Sequence, residues 1–218
     1  MAARTHMAST GFARRAPGVA PSSTPCAGPN RVSPGAPSVA LIWAQDSNGL
    51  IGDGKKMLWR VPADLRHFKE ATLNSPVIMG RASYEALGGA LPNRTNVILT
   101  RDRDFVCADA LVAHSLEEGL ELARAKAQES AAPTIWVIGG GQVYDQAITH
   151  ADELIVSRID LDATTKTNEG QAVRAPHIDP ELWEIDSERS DTQWREASGD
   201  ARWRVDVYRR LARKSSNS

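Results

Sequence analysis

Glycines follow two apolar segments of the chain, at residues 79–81 (Met-Gly-Arg) and 138–141 (Ile-Gly-Gly-Gly). Backbone N–H groups at the start of a helix, with no side chains in the way, form a site that suits a phosphate group. Arg81 and Arg101 add cations just beyond apolar segments. The spacing matches neither the dinucleotide fingerprint nor a Walker loop. The two junctions are therefore either tight turns or parts of a site for a phosphorylated cofactor.

Asp64 is the carboxylate whose position is most informative. Pro62 favours the start of a helix, which places Asp64 in the first turn. Phe68 shares a face with it, and Leu65 and Thr72 extend that apolar stripe. An acidic residue there either complements the helix dipole or faces an apolar pocket and holds the polar edge of a ligand. In the second case, burial would raise the pKa of the carboxyl and the helix N-terminus would lower it.

The other reactive side chains disfavour several kinds of chemistry. No set of Ser, His and Asp, or of Cys and His, stands out, so nucleophilic catalysis is disfavoured. Cys26 and Cys107 lie far apart without metal-ligand spacing, and neither a disulfide scaffold nor a metal site is expected. Arg94, before a predicted strand, is either a solvated surface charge or a fork for a carboxylate.

The elements that must position these residues alternate between strand and helix patterns. Apolar runs predict buried strands at 39–44, 76–79, 96–99, 134–138 and 154–156. Helices are predicted from 62 onwards, at 83–87, after a capping box at 115–118, and at 142–148. Residues 203–208 alternate between apolar and polar, which predicts a late strand with one covered and one solvated face. We therefore expect an α/β fold with a central, mostly parallel sheet, an antiparallel C-terminal edge and flanking helices.

Composition separates the first residues from the rest. The 218 residues carry a formal net charge of −1, which argues against a dedicated nucleic-acid binder, and no apolar run is long enough for a membrane span, so we expect a soluble protein. Residues 1–37 hold no acidic residue but six of the twelve prolines, and we expect them to be a disordered extension. A targeting peptide, a flexible tail and sequence upstream of the true start are the alternatives. Residues 38–212 would form the folded domain, and 213–218 a flexible tail.

Several segments together resemble the bacterial type of dihydrofolate reductase, in a form typical of actinobacteria. They are residues 41–45 (LIWAQ), 49–52 (GLIG), 58–65 (LWRVPADL), 68–69 (FK), 76–81 (PVIMGR), 91–94 (LPNR) and 137–144 (VIGGGQVY), in the family's order. The resemblance implies reduction of 7,8-dihydrofolate to tetrahydrofolate by hydride transfer from NADPH, in one-carbon metabolism. It also implies a cytoplasmic monomer that binds folates and antifolates, and neither nucleic acid nor membrane.

Two alternatives to this function stay open. One is an NADPH reductase of the riboflavin pathway, which has the same fold and should lack the pair of Asp64 and Arg94. The other is a non-catalytic paralogue that binds folate and NADPH without turnover. The intact Asp64, Trp59 and glycine junctions argue against the second alternative.

The resemblance also implies roles for individual residues. Asp64 would bind the amino-pyrimidine edge of the pterin and favour protonation at N5 through water, with Trp59 and Ser157 as the other catalytic residues. Residues 48–59 would form a mobile loop that closes over the nicotinamide. The folate pocket would be formed by Ile42, Ala44, Leu65, Phe68, Leu87, Leu91, Arg94, Ile138 and Tyr144, where Arg94 pairs with the α-carboxylate of the glutamate.

The cofactor would be held, without any metal, by a second set of residues implied by the resemblance. They are Ala44, Ile51, Gly52, Gly80, Arg81, Ala82, Ser83, Leu99, Thr100, Arg101, Ile138, Gly139, Gly140, Gly141, Gln142, Val143 and Tyr144. Arg81 and Arg101 would favour NADPH over NADH at the 2′-phosphate. The bond between Gly139 and Gly140 would be the family's cis peptide.

The sequence departs from the family's pattern at a few positions. Leu58 replaces the usual proline, Tyr84 a common Trp, Gln142 a frequent Arg and Ser157 the usual Thr. None of these changes removes a catalytic group. Residues 162–176 do not resemble the family's corresponding stretch, which often contacts the closing loop, so the behaviour of that loop is less well defined than the chemistry.

Overall fold

The computed structural model describes residues 35–212. The expectations for residues 1–34, for Cys26 and for residues 213–218 lie outside the described residues. The strands are β1 (Ser38–Gln45), β2 (Leu50–Gly52), β3 (Pro76–Gly80), β4 (Thr95–Leu99), β5 (Leu111–Ala113), β6 (Thr134–Val137), β7 (Glu153–Ile159), β8 (Val173–Arg174), β9 (Trp183–Ile185), β10 (Arg195–Ser198) and β11 (Ala201–Arg210). The helices are α1 (Pro62–Thr72), α2 (Arg81–Leu87), α3 (Leu116–Ser130) and α4 (Gly141–Ala147), with 3₁₀ turns at Thr164–Lys166 and Glu169–Gln171.

The main sheet is mixed and has the order β10-β11-β7-β1-β6-β3-β4-β5, with β9 paired to β11. Every pairing from β7 through β1 to β5 is parallel, and β11 pairs antiparallel with β7, β9 and β10. The predicted α/β class, with a mostly parallel sheet and an antiparallel C-terminal edge, is therefore confirmed. β2 and β8 form a separate two-stranded antiparallel sheet.

Both faces of the main sheet are covered by apolar side chains. Along β1, Leu41 and Trp43 belong to the cluster that α3 and α4 cover, while Ile42 belongs to the cluster on the other face, which Phe68 of α1 contacts. This alternation is the reason why the strand reads as an unbroken apolar run. Because the strands from β7 through β1 to β5 are parallel, their carboxyl ends all lie at one edge of the sheet, where a ligand can reach them.

A distant turn fixes the start of α1, the helix that carries Asp64. The position before the helix, Val61, offers no capping side chain. Instead, the N–H of Ala63 donates to the Ser198 hydroxyl (3.0 Å). The N–H of Arg60 donates to a carboxylate oxygen of Asp200 (2.8 Å), whose own N–H donates to the Arg60 carbonyl (3.0 Å). The turn between β10 and β11 thus replaces the missing local cap.

Two local predictions were wrong in part. Ser115 accepts from the N–H of Glu118 (3.1 Å) as expected, but Glu118 accepts from the N–H of His114 (2.7 Å) and not from that of Ser115, because its carboxylate reaches one residue further back. The supposedly solvated face of β11 is also partly covered. Asp206 is only 3% exposed there, because Arg158 of the neighbouring strand β7 pairs with it across that face (2.9 Å).

Candidate active site

A cavity of about 970 Å³ lies at the carboxyl-end edge of the parallel strands. It extends from Ser157 on β7, past the end of β1, to His114 beyond β5. Glycine-rich turns after β3 and β6 form part of its wall, and α1 and α2 contribute side chains to it. Strand ends of an open α/β sheet are the expected place for a ligand site.

Asp64 faces this cavity from the first turn of α1 and is 5% exposed. Burial raises the pKa of its carboxyl, while a hydrogen bond from Ser157 and the charges of His67 and Arg195 act in the opposite direction. Burial therefore outweighs the groups that stabilise the anion. An acidic residue that only complemented a helix dipole would be solvated, so the geometry favours the ligand-binding interpretation.

The other two residues predicted to be catalytic lie in different positions. Ser157, on β7, is buried and lines the cavity together with Asp64. Trp59 does not line it, but packs in the apolar cluster on the α1 side of the sheet. Its Nε1 atom is buried and has no hydrogen-bond partner among the described residues.

Most residues predicted for the folate pocket do line the cavity: Ile42, Ala44, Leu65, Phe68, Leu87, Ile138 and Tyr144. Leu65 is about half exposed on the cavity side of α1, whereas Asp64 and Thr72 are the buried residues of this helix. Leu91 and Arg94 lie outside the cavity wall.

Arg94 lies at the end of α1, away from that wall. Its guanidinium donates to the Thr72 hydroxyl (2.9 Å) and to the carbonyl oxygens of Lys69 (2.8 Å) and Pro92 (2.6 Å). Burial lowers the pKa of this guanidinium. The hydrogen bond to Lys69 stabilises a carbonyl in the last turn of α1, and the three contacts together fix the plane of the guanidinium.

The two glycine junctions lie side by side because β3 and β6 are neighbours. The N–H of Gly80 donates to the carbonyl of Gly139 (2.7 Å), and the bond from Gly139 to Gly140 is cis, as expected. A Cβ on Gly140 would lie 3.2 Å from the Ser83 hydroxyl. Side chains larger than glycine would therefore fill the space where backbone N–H groups are open to a ligand. Every residue predicted to bind the cofactor lines the cavity.

Tyr144 joins one of these junctions to β1. Its hydroxyl donates to the carbonyl of Ile42 (2.7 Å), and its ring lies 5.5 Å from that of Trp43. Burial raises the pKa of the phenol, so the hydroxyl stays protonated and the hydrogen bond persists. Gly139 has φ +118°, and a Cβ at this position would lie 3.3 Å from the Tyr144 hydroxyl, so both the backbone conformation and the space favour glycine.

The cations at the far end of the cavity differ in their partners. Arg81 pairs with Glu85 (2.6 Å) and Asp102 (2.8 Å) and lies over the ring of Phe105 (4.6 Å). Arg101 is exposed and forms no ion pair within residues 35–212. Its guanidinium is thus free to bind an anion, whereas that of Arg81 is shared with two carboxylates.

Residues 162–176, which do not resemble the family's corresponding stretch, contact the predicted closing loop (residues 48–59). β8 pairs with β2, the N–H of Ala175 donates to the Gly49 carbonyl (2.8 Å), and Arg174 donates to the Asn48 carbonyl (2.7 Å). Val173 lines the cavity and would lie 2.8 Å from a Cβ on Gly141. The segment therefore contacts both the loop and the start of α4.

Sequence reasoning missed several residues of the cavity wall. They are Trp43, Ala86, His114, Ser115, Leu116, Glu117, Gln146 and Val173, whereas Gly54, Lys55, Lys56 and Met57 belong to the loop predicted to close over the nicotinamide. Residues 114–117 follow β5, whose three apolar residues are too few to predict a strand on their own, so nothing indicated that residues 114–117 reach the same edge. Gln146 could have been predicted, because it lies one helical turn after Gln142 and so shares its face of the helix.

Residues 35–212 contain no group of His, Cys, Asp and Glu side chains that could hold a metal ion. None of the helices described is both long and apolar enough to cross a membrane.

Comparison with known proteins identifies the family. The family model for dihydrofolate reductase matches residues 38–210. The chain belongs to the dihydrofolate reductase family. A dihydrofolate reductase of Mycobacterium tuberculosis is 38% identical over 176 residues, which are 79% of this chain and 98% of that protein. Its counterpart from Mycobacterium leprae is 36% identical over 175 residues, with the same shares covered.

A solved structure agrees with these matches. It is a dihydrofolate reductase from Enterococcus faecalis complexed with NADP(H) and RAB-propyl, with a TM-score of 0.68 and 31% identity over 80% of this chain and 97% of that one. The activity is accordingly that of a dihydrofolate reductase, an NADPH-dependent oxidoreductase. These relatives give no support to a riboflavin-pathway reductase or to a non-catalytic paralogue.

Proposed function

We propose that Asp64 is the group through which this dihydrofolate reductase promotes protonation of its substrate, in a cavity that holds substrate and NADPH together. The observation that carries the proposal is a carboxyl 5% exposed, with a raised pKa, in the wall of a largely apolar cavity. Such a group binds the amino-pyrimidine edge of a pterin by hydrogen bonds and favours a positive charge nearby. Ser157 keeps the carboxyl oriented through its hydroxyl.

The glycine junctions and nearby cations fit a phosphorylated dinucleotide. A Cβ on Gly80 would lie 3.2 Å from Val143, and one on Gly140 would lie 3.2 Å from the Ser83 hydroxyl, so both positions leave space beside the backbone that a side chain would fill. Arg101, which has no ion pair among the described residues, would bind the 2′-phosphate, and Arg81 would assist once its pairing with Glu85 and Asp102 loosens. NADPH supplies the hydride when bound. The residues of this chain align it and exclude water.

Substrate positioning extends from the pterin to the glutamate. Phe68, Leu65 and Leu87 would pack against the apolar middle of the substrate. Arg94 would pair with the α-carboxylate of the glutamate, and Leu91 would cover the adjoining ring. The three contacts of Arg94 use its Nε, Nη1 and Nη2 atoms once each. Two of the five N–H donors of the guanidinium then remain for a carboxylate.

The remaining expectations form part of the same proposal. Trp59 would help to fix protonation at N5 through its buried, unpartnered Nε1 atom. Residues 38–212 would act as one domain, as a monomer and in the cytoplasm, with residues 1–37 as an extension. Light scattering over a range of protein concentrations would test the monomer.

The decisive experiment is NADPH oxidation by purified protein with dihydrofolate, with and without a diaminopyrimidine inhibitor. We expect oxidation that depends on dihydrofolate and is suppressed by the inhibitor, because a diaminopyrimidine cation pairs with the Asp64 carboxylate. NADPH binding without oxidation would contradict the proposal.

A further inference from the structure

The tip of the predicted closing loop (residues 52–57) contains two adjacent lysines. Lys55 and Lys56 are exposed, and both line the cavity. Neither of them forms an ion pair within residues 35–212. With one aspartate against two lysines, the loop tip keeps a net positive charge. Ammonium groups without a protein partner in the wall of a cavity suit an anionic ligand, and phosphate above all.

Hydrogen bonds within the loop tip define its backbone. The Asp53 carboxylate accepts from the N–H groups of Lys55 (2.9 Å) and Lys56 (2.8 Å). The N–H of Asp53 in turn donates to the Lys56 carbonyl (3.2 Å). A Cβ on Gly52 would lie only 2.8 Å from that carbonyl oxygen, so the turn closes as tightly as glycine allows. The backbone beneath both lysines is therefore ordered by the loop itself, which reduces the entropy that a bound ligand would cost.

The loop tip lies beside the glycine junction that follows β6. A Cβ on Gly54 would lie 3.8 Å from the Cγ2 atom of Val173, and a Cβ on Gly141 would lie 2.8 Å from the Cγ1 atom of the same side chain. Val173 is held there by β8, which pairs with β2 and places it opposite Gly52. The loop tip and the start of α4 therefore both lie against one valine side chain. The two lysines directly follow Gly54 in the chain, so they belong to this same part of the cavity wall.

We propose that Lys55 and Lys56 bind the diphosphate of NADPH, so that an ionic contact with the cofactor stabilises the loop over it. The proposal rests on the proposed position of the cofactor phosphates at the glycine junctions. The diphosphate carries a negative charge on each phosphate, and the loop tip and the junction after β6 share Val173 as a neighbour. The other anions of the complex are the 2′-phosphate, which we place at Arg101, and the glutamate of the substrate, which we place at Arg94.

The test is the affinity of the protein for NADPH and for NADH, measured by fluorescence titration at low and at high salt. The two cofactors share the diphosphate and differ only in the 2′-phosphate. We expect the double variant Lys55→Gln, Lys56→Gln to bind both cofactors more weakly by the same factor, about tenfold at low salt. The loss should shrink at high salt, because exposed charges are screened. The double variant Lys55→Arg, Lys56→Arg keeps both charges and should bind both cofactors as wild type does.

The matched control is the double variant Lys126→Gln, Lys166→Gln. It removes the same charge from two lysines outside the cavity wall, and both affinities should stay unchanged. An equal loss in this control would show a general effect of net charge and overturn the proposal. A loss that does not depend on salt would overturn it as well, because it would show a change in the fold of the loop.

The choice of cofactor separates the remaining outcomes. A loss confined to NADPH would assign the lysines to the 2′-phosphate, and a higher KM for dihydrofolate with both cofactor affinities unchanged would assign them to the substrate. Either result would overturn the proposal, as would affinities and a KM that all match those of wild type. A wild-type protein that binds neither cofactor would contradict the proposed function instead.

Discussion

The two ends of the cavity differ in how far their charged side chains are buried. At the Asp64 end, a single carboxyl is 5% exposed and faces apolar residues. At the other end, Arg101 is exposed and Arg81 is partly exposed, and Arg81 shares its charge with Glu85 and Asp102. A buried charge responds strongly to a change of charge on the ligand, so it acts on the transition state. Exposed charges are screened by water and salt, so they act mainly on affinity.

The largest effect should come from Asp64→Asn. The amide keeps the shape of the side chain but cannot hold a negative charge next to the protonated pterin. We expect turnover to fall by about two to four orders of magnitude, with NADPH affinity nearly unchanged. Steady-state kinetics with dihydrofolate and a binding titration with NADPH would measure the two effects separately.

Asp206→Asn is the matched control for that change. Asp206 is equally buried, at 3% exposed, but it pairs with Arg158, and neither residue lines the cavity. We expect this variant to lose stability and to keep the turnover of its folded fraction. Equal losses of turnover in both variants would mean that burial of a carboxyl, and not its place in the cavity, determines activity.

Next in size is the difference between the two arginines. Arg101→Ala should raise the KM for NADPH about tenfold, with little change in kcat, because an unshared charge-assisted hydrogen bond to phosphate is lost. Arg81→Ala should have the smaller effect, since its guanidinium already binds two carboxylates. The KM for NADH should not change in either variant. A larger effect of Arg81→Ala would reverse our ranking of the two cations.

A smaller effect is expected for Ser157→Ala. The Ser157 hydroxyl lowers the pKa of Asp64, so its removal should raise that pKa further and move the pH dependence of diaminopyrimidine binding upwards. Affinity at neutral pH should fall a few-fold. Ser157→Thr keeps the hydroxyl and should behave as wild type. If Ala and Thr gave the same profile, the hydrogen bond would have no part in tuning Asp64.

The smallest effect should be a gain in stability. Because burial raises the pKa of Asp64, the folded protein binds its proton more tightly than the unfolded chain does, and stability falls as the pH rises from the unfolded pKa through the folded one. Asn carries no charge to desolvate, so Asp64→Asn should be more stable at neutral pH by about 1 kcal/mol. The gain should disappear in acid. Thermal unfolding at two pH values would measure it, and a loss at neutral pH would contradict the raised pKa.

Sequence patterns predicted the long elements of the fold well. Unbroken apolar runs identified β1, β3, β4, β6 and β7, because strands covered on both faces need apolar residues at every position. The short strands β2, β5, β8, β9 and β10 were not predicted. They hold two to four residues each, and their existence depends on the partner strand rather than on their own composition.

The residues of the candidate site divide in the same way, into those that local patterns predict and those that depend on contacts with distant residues. Asp64, Ser157 and the glycine junctions were found from local patterns and from the resemblance, and they line the cavity. Trp59 and Arg94 do not line the cavity, because a sequence motif does not specify the direction in which a side chain points. Val173 lies in a segment that resembles nothing in the family, and only the pairing of β8 with β2 reveals that it reaches the cavity.

The turn of Ser198 and Asp200 that holds the start of α1 has a consequence for protein synthesis. Asp64 is made early, but the hydrogen bonds that cap its helix come from residues more than 130 positions later. A nascent chain that lacks β10 and β11 contains every residue that we propose to face a ligand. It still lacks the hydrogen bonds that hold the start of α1. We therefore expect a working site only once the end of the domain has left the ribosome, whereas shortened chains would contain all of the proposed site residues without the hydrogen bonds that hold α1.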